Sequence, residues 1–212
     1  MNKNKGLLLA MMEPSAGFEE EFHDWYDTEH LPERVSFQGF ENGQRFVCVS
    51  GFPRYVALYD LKTTDALNYP DYLSRSGDGT SPWTLRVRNK VLGSYRYVGT
   101  QLYPGTVNMG DAGPIVRLAL LRFRSVANDD GAKLLAALRE NFEGRAGVSQ
   151  LRLFQGVAKE SGDFLATVEF HSASGNVDLN KAPFGGLIKK LDLVNTYTPY
   201  WRANILPSAV NK

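Results

Sequence analysis

The order of secondary-structure signals repeats once along this chain of 212 residues, and that repeat restricts the fold more than any other feature. Each half presents a strand, a helix, two strands, a weaker helix and a final strand, as judged from apolar run length and alternation. Residues 104–114 separate the halves and contain three glycines and two prolines, which is typical of a linker. We therefore predict a first repeat over 1–103, this linker, and a second repeat over 115–212.

The packing of the two halves follows from their element order. A βαββαβ unit covers one face of its sheet with two helices and leaves the other face bare. Two bare faces packed together would bury each other. The predicted fold class is therefore α+β, with two tandem ferredoxin-like (βαββαβ) repeats packed sheet to sheet as a single-chain α/β barrel. The alternative is that each half finds its partner in another chain, and a completed barrel could also form a homodimer.

Composition narrows the classes of partner. Lysine and arginine total 24 against 23 acidic residues, so no strong overall charge attracts nucleic acid or a membrane surface. The apolar run at residues 6–12 is too short for a signal peptide, and no stretch approaches the roughly 20 residues of a membrane span. The single cysteine, Cys48, cannot form an intrachain disulfide. We expect a cytoplasmic protein that binds a small molecule, with neither nucleic acid nor membrane as a partner.

The first predicted helix carries the densest group of chemically capable side chains. Glu29 falls within its core-facing apolar stripe, and Tyr26 and His30 share the flank of that stripe. A carboxylate placed there needs a partner or a polar cavity, and a histidine can change charge near neutral pH. Because Pro32 disfavours helical geometry at the residue before it, we predict that the helix ends near His30.

This segment has two interpretations. In the catalytic one, His30 is the acid or base, Glu29 holds it in one tautomer, and Tyr26 donates a hydrogen bond. Trp25 and Arg34 would then contact the substrate. In the structural one, His30 and Arg34 cap the last carbonyls of the helix and Glu29 pairs with an arginine on a strand.

The predicted strands supply further candidates. In the strand over 164–171, Glu169 and His171 share a face opposite a fully apolar one, so we expect both at the interface between the sheets. Three tyrosines, Tyr55, Tyr95 and Tyr97, could line a site for a planar, hydrophobic molecule. Tyrosine is also an ordinary packing residue in strands. We predict His171 as a second catalytic residue, and Glu169 with the tyrosines as substrate-binding residues.

One motif resembles a known family. The pattern Trp-Tyr-x-x-Glu-His-x-Pro at residues 25–32, between a first strand and the Gly-Phe pair at 39–40, is similar to the first-helix signature of EthD-like proteins. These belong to the dimeric α/β-barrel superfamily, and the resemblance covers about residues 6–60. It implies a ferredoxin-like fold with a cleft between the sheets. That superfamily includes cofactor-free isomerases, polyketide cyclases, small monooxygenases and haem proteins. The second half has no equivalent Glu-His pair, so a site would be asymmetric.

Two functional hypotheses follow. The sequence contains no phosphate-binding glycine motif and no recognisable metal-ligand spacing, so we predict no cofactor. Haem would need a proximal ligand, for which His171 is the better placed candidate. The first hypothesis is a cofactor-independent isomerase, cyclase or lyase that uses histidine acid/base chemistry on a small aromatic or polyketide-like molecule. The alternative is a non-catalytic barrel that binds such a molecule.

Overall fold

Eight strands form a closed antiparallel barrel in the computed structural model, which describes residues 4–173, 175 and 177–201. Around the barrel the strands follow the order β1-β3-β2-β8-β5-β7-β6-β4. Their bounds are β1 Gly6–Pro14, β2 Phe40–Ser50, β3 Tyr55–Leu61, β4 Val91–Tyr103, β5 Arg117–Phe123, β6 Val148–Gly156, β7 Phe164–Phe170 and β8 Leu191–Pro199. The predicted α+β barrel is therefore present as a closed eight-stranded antiparallel barrel.

Helices cover the outside of this barrel in two layers. The first layer consists of α1 Glu19–Trp25, a π-helix Tyr26–His30, α2 Leu31–Ser36, α3 Pro70–Ser74 and α4 Pro82–Arg88. The second consists of α5 Gly131–Phe142 and a 3₁₀ segment Ala182–Lys190. Among the described residues, no helix combines the length and apolar character needed to cross a membrane.

Alternation along the strands divides the core between the barrel interior and its outer faces. Side chains that point inward form one fully enclosed apolar cluster, which fills the space between the strands. It includes Leu7, Leu9, Met11, Phe46, Val56, Leu58, Tyr97, Leu118, Leu120, Phe154, Leu165 and Tyr197. Side chains that point outward form two further clusters, one beneath each helical layer.

The first helix does not end near His30, so that prediction is wrong. The chain continues as α2, and Leu31 keeps helical angles (φ −65°, ψ −48°) although it precedes Pro32. The backbone N–H of Leu31 donates to the carbonyl of Tyr26, five residues earlier, which is the wider turn of a π-helix. Pro32 then occupies the first turn of α2, where the missing N–H of a proline is tolerated.

The predicted linker closes one end of the barrel. Met109 is buried there, and its backbone N–H donates to Asp60 (2.6 Å), while the N–H of Gly110 donates to Glu169 (3.0 Å). Both carboxylates also meet Arg152, whose Nη1 lies 2.7 Å from Asp60 and whose Nη2 lies 3.5 Å from Glu169. The interior charges are thus bound to one another and to the linker backbone.

Candidate active site on the outer face of the barrel

A cavity of about 460 Å³ lies between the first helical layer and the outward faces of β1, β3 and β4. Its floor is formed by side chains of the strands, and its walls come from the π-helix, α2, α4 and the segment around α3. We predicted a cleft between the two sheets, and that prediction is wrong. The inward-facing side chains are large enough to fill the barrel, whereas the first helical layer stands far enough from the sheet to leave space.

The π-helix places His30 in the wall of this cavity. The imidazole stacks on the indole of Trp25 at 4.2 Å between ring centroids and meets the ring of Tyr26 edge-on at 5.2 Å. Its Nδ1 atom is buried and has no hydrogen-bond partner among the described residues. Such π turns occur frequently at functional sites, where they redirect side chains.

The surroundings of His30 keep it neutral. Burial, followed by the positive charges of Arg34, Arg45 and Arg88, holds the pKa of His30 well below its ordinary value. The imidazole is therefore uncharged at neutral pH. A neutral imidazole in the wall of a cavity can accept a proton from a bound molecule.

Arg34 provides a buried cation in the same cavity. Its Nη1 atom is buried without a hydrogen-bond partner among the described residues, and Nη2 lies 3.9 Å from Glu33. The guanidinium packs over the rings of Phe37 (5.3 Å) and Tyr72 (5.2 Å). The guanidinium of Arg34 therefore contributes a positive charge to the wall of the cavity.

Glu29 interacts with α4 rather than with His30. Its Oε1 accepts hydrogen bonds from the hydroxyls of Ser81 and Thr84, and Thr84 Oγ1 in turn accepts one from Trp25 Nε1 at 3.0 Å. Glu29 therefore does not hold His30 directly, contrary to the prediction. It acts on His30 only through Thr84 and the indole of Trp25, on which the imidazole stacks. The stripe was predicted at regular α-helical spacing, and the wider π turn rotates Glu29 away from it.

Tyr26 and Tyr59 are buried beside His30, and Tyr59 lines the cavity. Burial raises the pKa of both phenols, and for Tyr59 the neighbouring Tyr26 adds to the rise. Both hydroxyls therefore remain protonated. Arg45 lies 4.4 Å from the ring of Tyr26 and fixes its position from the other side. Tyr59 was not a predicted site residue, although it shares a strand face with the predicted Tyr55.

The remaining predicted residues are dispersed. Tyr95 lines the cavity, whereas Tyr55 lies beside it and donates its hydroxyl to Glu19. Tyr97 is enclosed in the barrel, where its hydroxyl donates to the carbonyl of Phe154 (3.1 Å). Tyr97 therefore faces packed side chains and not a ligand space.

Glu169 and His171 do not share an environment, contrary to the prediction. Glu169 points into the barrel as expected, but it is bound by the linker and Arg152. His171 lies after the end of β7 at Phe170, and its side chain is exposed. Strand alternation does not extend past the last strand residue, so it could not place His171 inside. His171, the histidine considered for haem, is therefore not among the described residues that line the outer cavity.

Three further arginines at the cavity were missed by the sequence analysis: Arg75, Arg88 and Arg96. They come from the end of α3, the last turn of α4 and β4. No local spacing links them, so only the tertiary arrangement could have shown that they meet at one cavity. Among the described residues, no group of three or more His, Cys, Asp or Glu side chains is arranged to hold a metal ion.

Comparison with solved structures shows the same fold at low sequence identity. An anthrone oxidase-like protein superposes with a TM-score of 0.63 and 11% identity, covering 94% of this chain and 92% of that one. A proposed monooxygenase from Lactobacillus acidophilus NCFM gives 0.59 and 8%, with 93% and 94% covered. A mutant chlorite dismutase from Candidatus Nitrospira defluvii gives 0.59 and 11%, with 100% and 98% covered.

The sequence itself has no such match. No protein-family model and no curated protein matches the chain. At identities of about a tenth, the structural likeness establishes the fold, and function has to be argued from the site. The chain therefore shares its overall fold with these solved structures.

Proposed function

We propose that the chain is a cofactor-independent enzyme of the isomerase, cyclase or lyase type, acting on a small aromatic or polyketide-like molecule in the outer cavity. The observation that carries this proposal is that the neutral imidazole of His30 and the guanidinium of Arg34 line the same cavity. A base next to a fixed cation suits the removal of a proton from carbon that is beside a carbonyl group or conjugated with it.

The proposed step can be written with these two residues. The neutral imidazole of His30 takes the proton from the carbon, and the C–H electron pair moves onto the carbonyl oxygen to give an enolate. Arg34 donates a hydrogen bond to that oxygen and stabilises its charge. Return of the proton to another carbon is isomerisation, attack by the enolate on a second carbonyl is cyclisation, and expulsion of a leaving group is a lyase reaction.

The finer structural assignment belongs to the same proposal. We infer that the barrel consists of two tandem ferredoxin-like repeats and that the chain is an EthD-like protein. The strand orders β4-β1-β3-β2 and β8-β5-β7-β6, equivalent in the two halves, support the repeats. The motif around Glu29 and His30 supports the EthD-like assignment. We retain the proposals of a cytoplasmic location, from the single cysteine, and of a homodimer.

Proton abstraction can be tested without knowing the natural substrate. Anthrone is a suitable probe, because one structural neighbour is described as anthrone oxidase-like and the methylene of anthrone is acidic. Exchange of that methylene in D₂O, followed by proton NMR without oxygen, should be accelerated by the protein. His30→Ala should reduce the acceleration by about 10²–10⁴-fold, the usual contribution of a positioned base. His171→Ala should keep it, because that side chain is exposed and outside the cavity.

The alternative is a non-catalytic binding protein, favoured by the aromatic lining of the cavity, which would hold a planar ligand without any base. A binder would show no acceleration of exchange in the parent protein. It would tolerate loss of His30 but lose affinity for anthrone when Tyr95 is truncated to alanine. Unchanged exchange in His30→Ala, with the fold intact, would remove the catalytic role of this histidine.

A further inference from the structure

We propose that the substrate is an acid, and that Arg75, Arg88 and Arg96 bind its anionic oxygen group at the mouth of the cavity. This inference deepens the proposed function, on which it rests, by naming the chemical class of the substrate. The anionic group is a carboxylate or a phosphate, attached to the aromatic or polyketide-like body that enters the cavity.

The charge of the cavity lining is the first observation. Four arginines line it, and no aspartate or glutamate is found among the described residues that do so. The whole chain is nearly balanced, with 24 basic and 23 acidic residues. Four arginines in a lining without acidic residues are therefore a local concentration of positive charge, and do not reflect a generally basic protein. Such a concentration attracts and holds anions.

The position of each arginine divides the cavity into two ends. Arg34 is buried and only 8% exposed, next to His30 in the deep wall. Arg75, Arg88 and Arg96 are exposed, so they form the entrance. The deep cation can reach the reacting oxygen, while the outer three are free to bind a second, charged group of the same molecule.

The nearest interactions leave most of this positive charge available. Glu33 lies 3.5 Å from Arg75 and 3.9 Å from Arg34, so one carboxylate is shared between two cations. Arg96 contacts the neutral hydroxyl of Tyr72 at 3.5 Å. The effect on His30 is consistent, because Arg34 and Arg88 both oppose its protonation. A field that repels an imidazolium favours an anion in the same place.

The apolar part of the cavity lining defines the rest of the ligand. It includes Leu8, Met12, Val91 and the indole of Trp25. A flat, apolar molecule with a polar group at each end matches a cavity that has an apolar lining, the buried Arg34 and three exposed arginines. A volume of about 460 Å³ falls in the range that small ligands occupy.

Calorimetric binding of three related probes tests the inference. The probes are 2-naphthoate, 2-naphthyl phosphate and the uncharged methyl 2-naphthoate. We expect at least one anion to bind ten-fold or more tightly than the ester, with an advantage that falls as salt is raised. The anion that binds more tightly shows whether the site prefers a carboxylate or a phosphate.

Variants at the cavity and one matched control localise the effect. Arg88→Gln and Arg96→Gln should each weaken binding of the preferred anion about three- to ten-fold, and leave the ester unchanged. Arg86→Gln is the control, because Arg86 is exposed on the same helix but contacts Glu21 and does not line the cavity. Equal affinities for ester and anions, no measurable binding of any probe, or equal losses in Arg86→Gln and Arg88→Gln would overturn the inference.

Failure of this inference can be told apart from failure of the proposed function. If anthrone exchange depends on His30 but the ester binds as well as the anions, the enzyme stands and its substrate is not an acid. If His30→Ala leaves anthrone exchange unchanged while Arg88→Gln weakens anion binding, the proposal of an acid-binding cavity is supported and the proposal of His30 as a catalytic base is wrong.

Discussion

The interior of the barrel and the cavity on its outer face both bury charged groups, and they treat them differently. Inside, Arg152 meets Asp60 and Glu169, and the backbone of the linker supplies further donors to both carboxylates. Outside, Nδ1 of His30 and Nη1 of Arg34 are buried without partners among the described residues. Burial of charge alone therefore does not identify a site. The sign of the neighbouring charges is the better guide, because the interior cation faces two carboxylates, whereas the described lining of the cavity has four arginines and no acidic residue.

The interior cluster should show the largest effect on stability. Arg152→Met removes the cation shared by Asp60 and Glu169 and leaves two buried carboxylates uncompensated. We expect a loss of about 3–5 kcal/mol in the free energy of unfolding at pH 7, measured by chemical denaturation. Adding Asp60→Asn and Glu169→Gln should recover part of that loss. If Arg152→Met left the free energy of unfolding unchanged, the proposed difference between the two regions would be wrong.

The cavity arginine should behave in the opposite way. Arg34→Met leaves no strongly paired carboxylate behind, so we expect the free energy of unfolding to change by about 1 kcal/mol or less. The variant should instead stabilise the enolate less well and so slow the exchange reaction. Loss of a hydrogen bond to a charged oxygen, worth about 1.5–3 kcal/mol, corresponds to a roughly 10- to 150-fold slower exchange of anthrone in D₂O. Strong destabilisation with normal exchange would show that Arg34 is structural.

The smallest effect concerns pH. The folded state holds the pKa of His30 below its unfolded value of about 6.5, so below that pH the unfolded chain binds more protons and stability falls. The contribution is at most about 1.4 kcal/mol per pH unit and ends once the folded-state pKa is reached. His30→Gln should flatten the stability profile below pH 6.5, as followed by urea denaturation. An equal flattening in the control His171→Gln would contradict this assignment.

Much of the fold could be read from the sequence because it depends on local signals. Apolar alternation identified the strands, and the apolar face of β7 does lie under the second helical layer. The end of the first helix was misplaced because a proline rule applies to regular α-helix, whereas the chain inserts a π turn before Pro32. An α-helical turn and a π turn differ only in which backbone carbonyl each N–H donates to. The residue types along the chain do not reveal that difference.

The site was predictable only in part. His30, Trp25, Arg34 and Tyr95 do line one cavity, and the motif on the first helix contains two of these four, Trp25 and His30. Its location outside the barrel could not be predicted, because it depends on how far the helical layer stands from the sheet. The residues around α3 and α4 gave no signal, since their distance from His30 along the chain conceals their proximity in space.

The contact between β2 and β8 has a consequence for how the chain reaches its native state. Cys48 pairs with Tyr197 across this seam, so the barrel closes by joining segments that lie roughly 150 residues apart. The entropy lost in closing so large a loop is recovered only when the neighbouring strands are already in place. We therefore expect this seam to form last during folding and to open first under stress. It is then the point at which one molecule could exchange strands with another.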